Sequence, residues 1–173
     1  ELGHGVHQVL AGPQGALMAS TPLTLAETAS VFGEMLTFRS LLDRTSEPRE
    51  RKAMLAQKVE DMINTVVRQI AFYEFERKVH TERRKGELTA GRIGELWLSV
   101  QGESLGPAIT LREGYETFWA YIPHFIHSPF YVYAYAFGDC LVNSLYAVYR
   151  QAETGFQDKY FAMLEAGGTK HHS

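Results

Sequence analysis

The chain has 173 residues, 45% of them hydrophobic and 21% charged, with 17 basic against 20 acidic side chains. That length suits one domain with a core of its own, and a net charge of -3 offers no broad basic surface, which argues against nucleic acid as a partner. The single cysteine, Cys140, cannot form an internal disulfide, so a reducing, cytoplasmic setting is expected. The uncharged run 117–138 is long enough to span a bilayer. It contains Pro123, His124, His127 and Pro129 and is rich in tyrosine, so it reads as a buried functional stretch rather than a membrane segment.

Residues 1–11 read as an amphipathic helix entered part-way, with no initiator methionine and no cap residue ahead of it. The chain is therefore expected to be a fragment. Gly12-Pro13-Gln14-Gly15 closes this helix, because glycine takes left-handed angles cheaply and proline cannot continue the ladder. After a loop, Thr24 is the predicted N-cap of a second helix reaching about residue 43. Ser46-Glu47-Pro48 opens a third, since serine caps and proline is tolerated in a first turn.

The apolar residues Leu55, Val59, Met62, Val66, Ile70 and Tyr73 of this third helix recur at steps of four and three, the helical period. It runs to about Lys85, long enough that a kink or break is expected. Thr89 starts a shorter helix through Ile93, Leu96, Trp97 and Val100. The aromatic stretch 113–127 reads as short helix mixed with loop. Ser128-Pro129 resets the chain into a helix of about 25 residues, and a last helix spans about 156–166, before Gly167-Gly168. Alternating apolar and polar residues are scarce, so strands are not expected.

One group of residues carries chemistry. The zinc peptidase motif places two histidines four apart on one helix, with a glutamate after the first. Four residues make just over one turn, so both imidazoles reach one metal. Here Glu1, Leu2, Gly3 and His4 supply the last four of those five positions. The first histidine would immediately precede Glu1.

Two further segments extend the pattern. Residues 1–8, Glu-Leu-Gly-His-Gly-Val-His-Gln, are followed by Leu25-Ala26-Glu27-Thr28-Ala29-Ser30 and then by the His/Tyr tract 124–136. Taken in order, the three segments resemble the zinc metallopeptidase family of thimet oligopeptidase and oligoendopeptidase F, most closely its oligoendopeptidase F branch. The resemblance covers essentially the whole chain. It implies that Glu1 is the general base, moving a proton from water to the leaving amine. It also implies that His4 and Glu27 are zinc ligands, and that Tyr135 steadies the oxyanion of the tetrahedral intermediate. His124, His127 and Tyr131 would contact the peptide substrate. His7, one turn beyond His4, would line the cleft or support the metal shell.

Each residue also has a plainer explanation. Thr24 and Glu27 have the spacing of a capping box, which would only satisfy an orphan helix amide. The tyrosines could simply pack, as each buries area and needs one hydroxyl partner. Glu34 reads as part of a solvated face and Cys140 as a core residue.

The expectation is an all-α chain in which residues 1–173 form a single helical fragment, the C-terminal part of a zinc metallopeptidase catalytic domain. The parent would hydrolyse internal bonds of oligopeptides with one zinc ion. A fragment without the first zinc histidine should hold zinc weakly and turn over poorly, and its exposed apolar surface should drive homo-oligomer formation. The alternative is a non-catalytic helical scaffold. His4 and Glu27 within reach of one metal position would separate the two.

Overall fold

The computed structural model describes residues 2–151 and 154–170. Among these residues the regular elements are all helical and no strand occurs, as the sequence periodicity leads one to expect. The α-helices are α1 (Leu2–Ala11), α2 (Thr28–Arg44), α3 (Pro48–Met62), α4 (Arg68–Arg83), α5 (Ala90–Leu105), α6 (His124–His127), α7 (Tyr133–Arg150) and α8 (Phe156–Glu165). Their contacts divide into two compact units, the described residues of Glu1–Asp61 with Phe137–Ser173, and Met62–Ala136. No helix among the described residues is long and apolar enough to cross a membrane.

Several boundaries follow the punctuation of the chain. Gly15 ends the turn after α1 at φ 82°, in the region that residues with a Cβ avoid. Thr89 caps α5, its side chain accepting from the Arg92 amide at 3.1 Å, a contact worth about 1 kcal/mol. A π-helical turn, Ile63–Val67, separates α3 from α4 where an interruption was expected.

Two helix starts differ from expectation. Thr24 does not cap α2: residues Leu23–Leu25 form a 3-10 turn entered from Pro22, and α2 begins at Thr28. Likewise α7 begins at Tyr133 rather than at Pro129, because Phe130 takes a left-handed φ of 61° that no helix can contain. Cys140 also departs from the sequence reading, since it is exposed.

In the first unit α1 packs on α2 and α8. Gly3 permits the closest approach, as a Cβ there would overlap the backbone of Ala29 and Ser30. Phe32 and Met35 of α2 and Val142 of α7 form the core, with Tyr146, Phe156 and Tyr160 packed against them. The Phe32 and Tyr160 rings lie 4.7 Å apart. The loop after α1 is tied down by the Gly168 amide donating to the Met18 carbonyl at 2.7 Å.

The second unit is built on α4 and α5, with the 3-10 segment Tyr115–Tyr121 against α5. Phe72, Phe75, Leu96, Trp97 and Val100 supply its core together with Val132. Phe125 of α6 completes an aromatic cluster, 5.1 Å from Phe75 and 5.5 Å from Phe72. Trp97 is only 1% exposed, and removing such a side chain costs roughly 3–5 kcal/mol.

Candidate functional site

Of the residues singled out by the motifs, His4 and Glu27 meet in the first unit, and His124, Tyr131 and Tyr135 meet in the second. In the first, α1 presents His4 and the residue before α2 is Glu27. The His4 Nε2 and Glu27 Oε2 atoms are 3.4 Å apart, with the Glu27 side chain 14% exposed and that of His4 40%. Glu27 has helical dihedrals and makes no side-chain capping bond at the start of α2. With the helix starting at Thr28, the capping box predicted from Thr24 and Glu27 is not the one that opens α2.

Two glycines set this approach. Gly3 lets α1 lie against the first turn of α2, one residue before His4. Gly138 of α7 leaves space for the stem of Glu27, whose Cβ would lie 3.0 Å from a Cβ at that position.

Nitrogen and carboxylate oxygen ligands sit about 2.0–2.2 Å from a tetrahedral zinc, which puts neighbouring donor atoms ~3.3–3.6 Å apart. The His4–Glu27 separation lies within that interval. Imidazole and carboxylate are also the donor types that zinc accepts. The pair thus fits as two members of a ligand set, and no group of three or more His, Cys, Asp or Glu side chains that could hold a metal occurs among the described residues. Glu1 lies outside the described residues.

His7 is 4% exposed and its Nε2 lies 3.3 Å from the Thr21 hydroxyl. Burial, assisted by the nearby His4, holds its imidazole below the usual histidine range, against a smaller opposing effect of the Leu164 backbone. Glu34 pairs with Lys58 at 2.7 Å. Beside that pair sits Asp139, 4% exposed, which accepts from the Asn143 amide at 3.2 Å. Burial pushes the Asp139 carboxyl above the usual range; Lys58 pulls it down and Glu34 pushes it up, each less strongly.

In the second unit α6 and the start of α7 bring three of the predicted residues together. The Tyr135 hydroxyl and His124 Nε2 are 3.3 Å apart. The Tyr131 ring stacks on His124 at 5.5 Å and meets Tyr135 edge-on at 5.4 Å. His127 is exposed and outside this ring cluster. Next to the cluster is a cavity of ≈ 550 Å³ whose lining includes Thr65, Gln69, Phe72, Tyr121, His124 and Tyr135. None of the six carries a fixed charge.

Glu76 escaped the motif reading. It is 2% exposed, and its Oε1 accepts the Phe130 amide at 2.8 Å. Burial pushes its carboxyl up, against the Phe130 hydrogen bond. A signal was present in the sequence: Glu76 shares the helical register of Phe72, Phe75 and Val79, a charge on a core-facing stripe.

Comparison with known proteins places these clusters in context. A sequence model of peptidase family M3 matches residues 1–173. The plasmid oligoendopeptidase F of Lactococcus lactis subsp. cremoris is 31% identical over 173 residues, covering 99% of this chain and 29% of the relative. The oligopeptidase PepF of Bacillus subtilis is 28% identical over 99% of this chain and 26% of its own length. The crystal structure of oligoendopeptidase-F from Enterococcus faecium superposes with a TM-score of 0.77 at 28% identity, over 96% of this chain and 30% of that one. The chain thus spans less than a third of the length of the relatives it matches.

Proposed function

The chain belongs to peptidase family M3, and from that premise we propose that it contributes the metal-binding and peptide-contacting helices of a zinc-dependent endopeptidase acting on short peptides in the cytoplasm. The observation that carries this reading is the 3.4 Å separation of His4 Nε2 and Glu27 Oε2, across 23 residues of sequence. A scaffold has no use for that pairing in company with a His/Tyr cluster.

In this reading His4 and Glu27 hold the ion, with the histidine that the resemblance puts before Glu1 as their third partner. When bound, zinc supplies Lewis acidity to water and to the scissile carbonyl. Glu1 takes the proton from water and delivers it to the departing amine, a transfer worth roughly 10²–10⁴-fold in rate. The Tyr135 hydroxyl donates to the developing oxyanion. His124, within hydrogen-bond distance of that hydroxyl, holds the phenol in one orientation. Removing one such donor costs about 3–4 kcal/mol of transition-state stabilisation. Tyr131 and His127 contact the peptide, and the uncharged cavity beside His124 suits apolar or aromatic substrate side chains better than charged ones.

Zinc titration against a chromophoric chelator tests the metal assignment, comparing the wild-type chain with His4→Ala and Glu27→Ala. A loss of at least about tenfold in affinity is expected in both variants, with helical circular dichroism retained. Equal affinity in all three proteins would sink the ligand assignment. Cleavage of a short-peptide library, followed by mass spectrometry, tests the activity itself.

A further inference from the structure

We propose that Glu76 is a positioning residue for the His124–Tyr131–Tyr135 cluster, acting through the left-handed turn at Phe130; the proposal rests on reading that cluster as the peptide-contacting part of the site. Phe130 is the one non-glycine residue with positive φ among the described residues. A residue with a Cβ resists that conformation for steric reasons, so it persists only where its surroundings hold it.

Three side chains of α4 hold it. Glu76 Oε1 accepts the Phe130 amide at 2.8 Å. The Phe130 ring lies 4.9 Å from His80 and packs edge-on against Tyr73 at 6.1 Å. Residues 73, 76 and 80 are three and four apart, one stripe of a helix. The chain leaves this turn directly into Tyr131, whose ring stacks on His124, and enters α7 at Tyr133. The angle taken at Phe130 therefore sets where the Tyr131 and Tyr135 rings point.

Packing alone does not call for a carboxylate here. Glu76 is 2% exposed and its Oε2 has no hydrogen-bond partner, a costly arrangement that an apolar side chain of similar size would avoid. What an apolar side chain lacks is an acceptor for the Phe130 amide. That hydrogen bond ties the backbone of the left-handed turn to α4.

The side-chain NMR resonances of His124 report the cluster without requiring turnover. Glu76→Gln keeps an acceptor and is expected to leave those resonances at their wild-type positions. Glu76→Leu removes the acceptor, and the resonances should move toward those of an unrestrained histidine while helical circular dichroism persists. If Glu76→Leu fails to fold, Phe130 carries the same test. Phe130→Val disfavours the left-handed region and should move the resonances, whereas Phe130→Gly adopts it freely and should keep them. Unmoved His124 resonances in Phe130→Val, or in a folded Glu76→Leu, would overturn the proposal and leave Glu76 as a buried core residue. Zinc affinity measured in parallel separates the two readings: a chain whose zinc affinity is unchanged by His4→Ala and Glu27→Ala, yet which shows the Gln/Leu split at residue 76, refutes the metal site and supports the positioning role.

Discussion

Gly138 and Glu27 meet where neither has room to spare: a Cβ on Gly138 would stand 3.0 Å from the Cβ of Glu27. The contact fixes the stem of Glu27, and the carboxylate beyond it lies 3.4 Å from His4. Gly138→Ala should therefore displace Glu27 and weaken zinc binding by about 10–100-fold, the range seen when a ligand loses its supporting contact. Overpacking should cost roughly 1–3 kcal/mol of stability as well. Chelator competition and thermal melts measure both quantities, and wild-type zinc affinity in a destabilised variant would show that Gly138 serves packing alone.

Gly3→Ala should do more harm than Gly138→Ala. Its Cβ would overlap backbone atoms of Ala29 and Ser30 rather than a side-chain stem, and backbone cannot step aside. The expected outcome is separation of α1 from α2, seen as a lower melting temperature than Gly138→Ala gives. A crystal structure of the variant with α1 unmoved would contradict this.

The resemblance to zinc peptidases sets a third expectation. A chain extended by a single histidine ahead of Glu1 should bind zinc at least about tenfold more tightly than the 173-residue chain, because it adds a protein ligand to His4 and Glu27. An alanine in the same place should change nothing. Equal affinities for the histidine and alanine extensions would count against the motif.

Stability should respond to pH through Asp139. Its carboxyl is pushed up by burial in the folded chain, so the folded state binds the proton more tightly than the unfolded state. Stability is then lost as pH rises from the unfolded value through the folded one. Wild type and Asp139→Asn should melt together near pH ~3.5, with the asparagine variant gaining ground as pH approaches about 7. A melting-temperature difference that stays constant over that interval would mean that the two states ionise alike.

Association should follow from α1. Leu2, Val6 and Val9 are 90%, 51% and 77% exposed, and spacings of four and three place them on one helical stripe. Contiguous apolar surface of this kind promotes association. Light scattering at tens of micromolar should detect oligomers of the wild-type chain and fewer of a Leu2→Gln/Val6→Gln/Val9→Gln variant; a monomeric wild type would rule this out.

The helices themselves were legible in the sequence. Thr89 caps α5 as its position predicts, because a threonine side chain satisfies an orphan amide within three residues and needs no distant partner. The 48–85 region is helical as its period predicts, although Leu55, Val59 and Ile70 of its apolar stripe are exposed. The glycine and proline stops after α1 also fall where expected, for the same reason: each depends on neighbours a turn away. Local signals were weaker at helix starts facing other elements. Thr24 has the chemistry of a cap, yet it sits in a 3-10 turn and α2 starts four residues later.

The rest was decided in three dimensions. The motif residues name His4 and Glu27, but their 3.4 Å separation depends on Gly3 and Gly138 removing the side chains that would keep α1, α2 and α7 apart. Glu76 carries no motif and gains its role only when a residue 54 positions away turns its amide toward it. Cys140 looks like a core residue by type and proves exposed, because burial depends on which helix face the neighbours cover. Chain chemistry determined which residues form helices and which could bind a metal. Packing at backbone contact distance determined which of them meet.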